Sequence, residues 1–494
     1  MASSEILDRF RNIVPSLRDV AWYADRATRL WKASDLTSAM QVIKKAEPRF
    51  GSLACIRLIS AKLNLAQKNV EAVRADLVRA VQDPKITFAE HIKVSEIYQL
   101  MDDDDSALTQ LNKLGEKHSL KPYCVKAYNT ATAIYARRGE TFNALDSGIK
   151  AAATGGGLAW NMISKMIRKA DLDMIEQCRV RMREMEKQVR KSGSFYKLMT
   201  LFDSRVEDRE AMLKHMTLGA KTTFELTRPD IPWLDDVDPL LPSFLIIGAM
   251  KCGSTSLYDQ ISQHPLCLAP MNKELQFFQH PELDDQWYLN HFPRVSPHSG
   301  FFTGEASPGY FKFDITDRVK NLLPNVKLLL IKRDPVDRAI SHFRHNVRQG
   351  TSKGSVTQIL SNIDNIQAAL LAAPDKAEDI LLRRVKGAPA CKSILQLGCY
   401  EILMRRWYAA FPQEQILELN LEDYRDAPQE TSDRVFAHLG VDSIKVTSQR
   451  SNIGNYVKSD PETKHVTNRL REFCLLYTSP SPRDQRGSRM PSSA

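Results

Sequence analysis

Nowhere in the chain do about 18 uncharged apolar residues run together, so no segment is read as a membrane-spanning helix. The opening MASSEILDRFRNIVPS carries charges where a signal peptide needs its apolar centre, and no Asn-x-Ser/Thr acceptor occurs. The eight cysteines include no CxxC pair and form no dense framework, which excludes a disulfide-stapled scaffold and points to a reduced, cytoplasmic setting. Cys391 and Cys399 are near enough in sequence to pair, and that question stays open. A calcium loop is also missing: the run Asp102 to Asp105 lacks the glycine and terminal glutamate of such a loop and is read as a solvated turn.

At 494 residues the chain exceeds one ordinary domain, and two or three are expected. With 43% of residues hydrophobic and 26% charged, there is apolar material for separate cores. The formal charge of +10 favours anionic partners. Spread over this length it does not single out nucleic acid, which is not expected as a partner, and an anionic cofactor or acidic acceptor fits equally well.

From about Leu17 to Lys187 the spacing of apolar residues is helical, with almost no strand-like alternation. A two-helix unit recurs, with polar turns near Ser34-Asp35, Lys68-Asn69, Asp103-Asp104, Arg138-Gly139 and Ala170-Asp171. Small residues follow the first four turns: Ala39, Ala72, Ala107 and Ala144. The period, about 34 residues, is that of stacked helical hairpins. Stacked hairpins bury apolar faces against their neighbours and leave a groove, so a protein partner is the default role and RNA the second. A plain helical bundle is the simpler alternative. Thr227 to Leu241, TRPDIPWLDDVDPLL, is rich in proline and acid and reads as a linker.

Beyond it, Ser243 to Gln260 reads SFLIIGAMKCGSTSLYDQ: a short buried strand, a small-residue loop and a helix. The first N–H groups of a helix have no intrahelical partner and carry the positive end of its dipole. Glycines let the backbone approach a phosphate or sulfate, and hydroxyls and a lysine complete an anion cradle. A tight turn with structural glycines is the plainer reading, which Lys251 and three consecutive hydroxyl residues weigh against. Nucleoside triphosphatase loops place lysine directly after the second glycine, whereas Ser254 follows Gly253 here. Strand-turn-helix alternation then resumes, with GEASPGYF at Gly304 to Phe311, a buried strand at Val326 to Ile331 and a helix from Val336 to Arg348. A parallel sheet is expected, with its ligand at the carboxyl ends of the strands.

Four stretches in this region resemble sulfotransferases that use 3′-phosphoadenosine 5′-phosphosulfate (PAPS). GAMKCGSTSL is similar to that family's 5′-phosphosulfate loop and KRDPVDRAISHF to its 3′-phosphate segment. KELQFF, from Lys273, resembles the glutamate segment of heparan-sulfate and related carbohydrate sulfotransferases, and Leu397 to Tyr424 resembles the helix and strand that close the sheet. The resemblance covers roughly Pro242 to Phe473. It implies that Lys251 and Glu274 are catalytic, Glu274 as general base and Lys251 at the oxygen bridging phosphate and sulfuryl. It further implies that Lys251, Cys252, Gly253, Ser254, Thr255 and Ser256 bind the 5′ end of PAPS, that Arg333 and Ser341 bind its 3′-phosphate, and that no metal is required. The acceptor implied is a carbohydrate or other hydroxyl or amine. The helical half resembles tetratricopeptide or pentatricopeptide repeats and implies a protein partner.

The expected fold class is α/β: a P-loop-like parallel-sheet sulfotransferase domain preceded by an all-α helical-repeat domain. The expected boundaries are 1–226 for the repeats, 227–241 for the linker, 242–474 for the sulfotransferase domain and 475–494 for a disordered or foreign tail. The family's carbohydrate branch usually enters the Golgi behind a membrane helix, so the Golgi is the alternative location if the N-terminus is incomplete. Gln276 and Ala306 depart from residues found in some carbohydrate sulfotransferases, which leaves the acceptor open. Glu305 either lines the site or caps the next segment, and His280 is the fallback base; His264 and His345 are read as structural. Tyr456 and Lys458 are weaker candidates for a covering loop. The competing functions are a P-loop kinase and an inactive repeat adaptor binding RNA or protein.

Overall fold

The structure, a computed structural model, describes residues 19–118, 121–189, 192–348, 355–360, 363–384, 386, 392–447 and 461–477. Cys391, Tyr456, Lys458 and the tail beyond 477 lie outside the described residues. The chain forms two compact units, Met1–His215 and Met216–Ala494.

The first unit is helical. Helices α1 (Val20–Lys32) and α2 (Leu36–Phe50) pack as a pair, as do α3 (Ala54–Ala66) and α4 (Val70–Val81), α5 (Phe88–Leu100) and α6 (Asp104–His118), and α7 (Val125–Arg137) and α8 (Thr141–Ala153). One turn design joins each pair. Ser34, Lys68, Asp102 and Gly139 take left-handed φ of 64°, 61°, 55° and 76°. The amide of the following residue then reaches back to a carbonyl of the finished helix: Asp35 to Leu30, Asn69 to Asn64, Asp103 to Tyr98, Glu140 to Tyr135. Asp35, Asn69 and Asp103 also cap the next helix, accepting from the amides of Ser38, Ala72 and Ser106.

The cap sets the register of burial. Four residues past it lie Ala39, Val73, Ala107 and Ala144, each 0% exposed. At the second turn the buried position is therefore Val73; Ala72, the small residue of that turn, is half-buried and spends its amide on the cap. At the fifth expected turn Ala170 is extended, with ψ 146°, and Asp171 caps α10 (Leu172–Glu186). There the hairpin pattern lapses: α9 (Trp160–Lys169) and α10 pack chiefly on α8 and α11 (Gly193–Arg205). The aspartate run is more than a solvated turn. Asp103 pairs with Arg74, Asp104 with Arg137 and Asp105 with Arg138, each at 2.6 Å, so it ties together neighbouring hairpins.

The division between units falls inside α12 (Arg209–Thr227). The second unit is built on β1 (Phe244–Gly248), β2 (Cys267–Leu268), β3 (Phe302–Ala306), β4 (Lys327–Lys332) and β5 (Ile416–Asn420), a parallel sheet in the order β2-β3-β1-β4-β5. Strands buried on both faces need unbroken apolar runs, which explains FLIIG in β1 and LLLI within β4. The connecting helices are α13 (Ser254–Ile261), α14 (Asp285–Leu289), α15 (Thr316–Leu322) and α16 (Pro335–Arg348), followed by α17 (Ile363–Ala372), α18 (Ala377–Leu381), α19 (Ser393–Gln396) and α20 (Tyr400–Ala410). After β5 come α21 (Leu421–Asp426), α22 (Pro428–Leu439) and α23 (Pro461–Tyr477). The expected α/β architecture is present. Central β1 has β3 on one side and β4 on the other, so the connections diverge at its carboxyl end and leave a crevice there. Among the described residues no helix is long and apolar enough to cross a membrane.

Candidate active site at the carboxyl ends of the central strands

The loop from β1 to α13 is held from behind. The amide of Ala249 donates to the carbonyl of Ile331 at the end of β4 at 2.9 Å, coupling the two loops that leave the central strands. Tyr400, at the start of α20, donates its hydroxyl to the carbonyl of Arg333 at 2.9 Å and lies 3.6 Å from the Cys252 sulfur. Cys252 thus turns inward: its thiol is buried, its amide donates to Ala249, and burial pushes the thiol's pKa up to about 11. Its thiol and amide are both engaged, with Tyr400 and Ala249 respectively.

Lys251 and Gly253 take φ of 71° and 96°. At Gly253 this needs glycine twice over, because a Cβ would also lie 2.8 Å from Cδ1 of Leu421. Gly253 leads directly into α13, whose first turn has no side-chain cap. The amides around Ser254, Thr255 and Ser256 are therefore at the open positive end of a helix. Ser254 is buried; the carbonyl of Ser256 accepts from the Tyr424 hydroxyl at 3.2 Å, which fixes the helix from its far side.

Arg333 follows β4 directly. Its Nη2 lies 3.5 Å from the half-exposed Asp337 carboxylate, and its Nε is buried with no hydrogen-bond partner among the described residues. Asp334 accepts from the amides of Val336 and Asp337 and so starts α16. On α16, Ser341, His345 and Arg348 share one stripe by helical spacing, and Ser341 is 9% exposed. Burial, then Arg348 and Arg333, lower the pKa of Lys251; burial, then Lys251 and Arg348, lower that of His345. The cradle loop, the start of α16 and its last turn therefore carry cations that disfavour the charged forms of Lys251 and His345. An orphaned guanidinium N–H, an uncapped helix and repelling cations are what an anion with more than one charged group would satisfy. Among the described residues no cluster of three or more His, Cys, Asp or Glu is placed to hold a metal.

Glu274 lies on the segment between β2 and β3, exposed, with Oε1 accepting from Nε2 of Gln276 at 3.0 Å. Its neighbour Lys273 turns the other way and donates Nζ to Oγ1 of Thr255 in the cradle at 2.7 Å. Nothing in the sequence marks Lys273 apart from its place beside Glu274. Glu305 resolves to neither open alternative: it is 0% exposed and accepts from Leu275, Tyr288, Ser307 and Tyr310. Burial raises its pKa, against the pull of those four donors.

The histidines separate by environment. His264 accepts from the Leu266 amide, lies 3.0 Å from the carbonyl of Asp442 and is wedged between Phe302 and Phe436, a structural post. His280 is exposed, with Nδ1 3.0 Å from Glu282. His342, buried beside Arg338, has its pKa pushed down to about 3, chiefly by burial. Arg384, in the basic stretch after α18, is engaged by Asp379 and Asp314.

Residues 241–471 match the family described as "Sulfotransferase domain". Among curated proteins the chain is 30% identical over 209 residues to bifunctional heparan sulfate N-deacetylase/N-sulfotransferase 4 of Mus musculus, covering 41% of this chain and 22% of that protein. It is 32% identical over 211 residues to bifunctional heparan sulfate N-deacetylase/N-sulfotransferase 3 of Homo sapiens, with the same shares. The chain thus spans about a fifth of the length of the curated relatives it matches. A solved sulfotransferase from Alicyclobacillus acidocaldarius aligns at 24% identity and a TM-score of 0.35, covering 48% of this chain and 96% of that one. On the family match and these relatives, the second unit carries a sulfotransferase domain.

Proposed function

We propose that the second unit transfers a sulfuryl group from PAPS to a hydroxyl or amine of a carbohydrate acceptor. The observation that supports this most is the uncapped start of α13 next to Lys251, whose charged form burial, Arg348 and Arg333 disfavour. Bound there, PAPS would supply the activated sulfuryl group. In this reading the amides and hydroxyls from Gly253 to Ser256 hold its 5′ end, and Lys251 neutralises charge on the bridging oxygen. Arg333, by its forked N–H groups, and Ser341, by its hydroxyl, take the 3′-phosphate. Exposed Glu274 takes the acceptor's proton, a contribution of roughly 10² to 10⁴ in rate. The carbohydrate acceptor is proposed from the names of the relatives, which refer to heparan sulfate.

The same proposal assigns 1–226 to a repeat domain that recruits a protein partner, 227–241 to a linker, 242–474 to the enzyme and 475–494 to a tail. The cytoplasm is its proposed setting, tested by cell fractionation of the full chain. The site is tested by calorimetric titration of PAP, the desulfated product, into wild type, Lys251→Ala and Arg333→Ala. Binding weakened about 10- to 100-fold by each substitution, with the fold retained, is the expected result. A folded wild type that does not bind PAP would overturn the proposal.

A further inference from the structure

Glu305 is wholly buried, yet the proposed chemistry gives it nothing to do. Its Oε2 accepts from the amide of Leu275 at 3.0 Å and the hydroxyl of Ser307 at 2.6 Å; its Oε1 accepts from the hydroxyls of Tyr288 at 3.0 Å and Tyr310 at 2.8 Å. Ser307 relays one step further, its oxygen accepting from the amide of Gln276 at 2.9 Å. Between them, the amide of Ala306 donates to the carbonyl of Lys273 at 2.8 Å. Three consecutive residues at the end of β3 thus grip the backbone on both sides of Glu274, and Gln276 is held at a left-handed φ of 56° that a non-glycine residue rarely adopts unaided.

The grip fixes two side chains that leave in different directions. Lys273 reaches Thr255 in the cradle while Glu274 projects outward. A carboxylate buried with four hydrogen bonds, one of them to the segment that carries Glu274, costs desolvation that a purely apolar core would avoid. We propose that Glu305 is a positioning residue: through Leu275 and Ser307 it sets where Glu274 stands relative to the donor cradle. The proposal rests on the sulfuryl-transfer reading and adds to it the group that aims its base.

The test uses Glu305→Ala, Glu305→Gln and Ser307→Ala in the full chain. Gln retains one acceptor oxygen for Leu275 and Ser307, and its NH2 meets tyrosine hydroxyls that can accept as well as donate. Near-wild-type kcat is therefore expected for Glu305→Gln. Ser307→Ala removes only the relay to Gln276 and one of the four bonds to Glu305, so it is expected to fold even where Glu305→Ala does not. Its expected signature is kcat lowered roughly 10- to 100-fold by a misplaced base, PAP affinity within about twofold of wild type, and faster amide exchange in peptide 271–279 with no change in peptide 244–256.

Unchanged kcat and unchanged exchange in Ser307→Ala would overturn the positioning role. So would a kcat loss matched by an equal loss of PAP affinity, which is what general destabilisation produces. If wild type neither binds PAP nor transfers sulfuryl, the parent reading has failed and the positioning role falls with it. The exchange data distinguish the two failures, because they report the grip on 271–279 whether or not the chain is active.

Discussion

Lys273 donates its ammonium to the hydroxyl of Thr255 at 2.7 Å across 18 positions of sequence. The bond joins the segment carrying Glu274 to the first turn of α13, so the proposed base and donor site share a strut. Burial lowers the pKa of Lys273, and Glu274 and Asp259 partly oppose the shift. Lys273→Met keeps the length of the side chain and removes the charge. PAP affinity is expected to fall about tenfold, the weight of one charge-assisted hydrogen bond, and titration calorimetry would read it. Unaltered affinity would mean that Lys273 only props the loop.

Glu274→Gln tests the base by itself. The side chain is exposed and bonded to Gln276, so the amide is expected to leave the fold intact and PAP affinity within about twofold. Turnover should drop by about 10² to 10⁴. A variant that keeps wild-type kcat would transfer the role to another group, with His280 the first to replace.

Proton linkage follows from the crowded cations. Lys251 and His345 both titrate below their ordinary values in the folded chain, His345 below 6.5 because of burial, Lys251 and Arg348. Where a folded-state pKa is depressed, the unfolded chain binds more protons between the two values; this term therefore stabilises the protein increasingly as pH rises through that window. An anion bound among Lys251, Arg333, His345 and Arg348 favours their charged forms and raises the depressed values. PAP binding should accordingly take up protons near pH 6.5 and weaken as pH rises. Titration in two buffers of different ionisation enthalpy would show the uptake; proton release would contradict it.

The helical unit offers a backbone test. Exposed Lys68 and Gly139 occupy the same left-handed place in the second and fourth turns, and nothing lies within 4 Å of where a Cβ would stand on Gly139. Lys68→Gly should raise stability by about 0.5 to 1 kcal/mol and Gly139→Ala should lower it by about 1 kcal/mol. Opposite shifts in thermal midpoint are the expected outcome, and shifts of one sign would contradict it.

What was legible in the sequence was local. The loop from Gly248 to Ser256 follows a short-range grammar of glycine, hydroxyl and lysine, and its strand and helix flank it as expected. The turns at Ser34, Lys68 and Asp102 are equally local, each needing one left-handed residue and one cap. Contacts across long separations stayed hidden. Tyr400 reaches Arg333 over 67 residues and Glu305 reaches Leu275 over 30, and no spacing rule marks either pair. Cys252 shows the limit within a motif: its position in the loop was evident, but the inward turn of its thiol depends on Tyr400, far along the chain. At the second helical turn the small residue Ala72 stands one position before the buried Val73, because the cap at Asn69 sets the register and no residue type marks it.

The left-handed residues Ser34, Lys68 and Asp102 stand 34 positions apart, each followed by a residue that both closes one helix and opens the next. A stretch of that length copied or removed between two such turns would rejoin at a junction with the same backbone conformation and the same cap. Recombination can therefore lengthen or shorten this part of the chain by whole hairpins without inventing a new joint, and the reach of the array becomes a quantity that evolution can adjust in steps of one repeat.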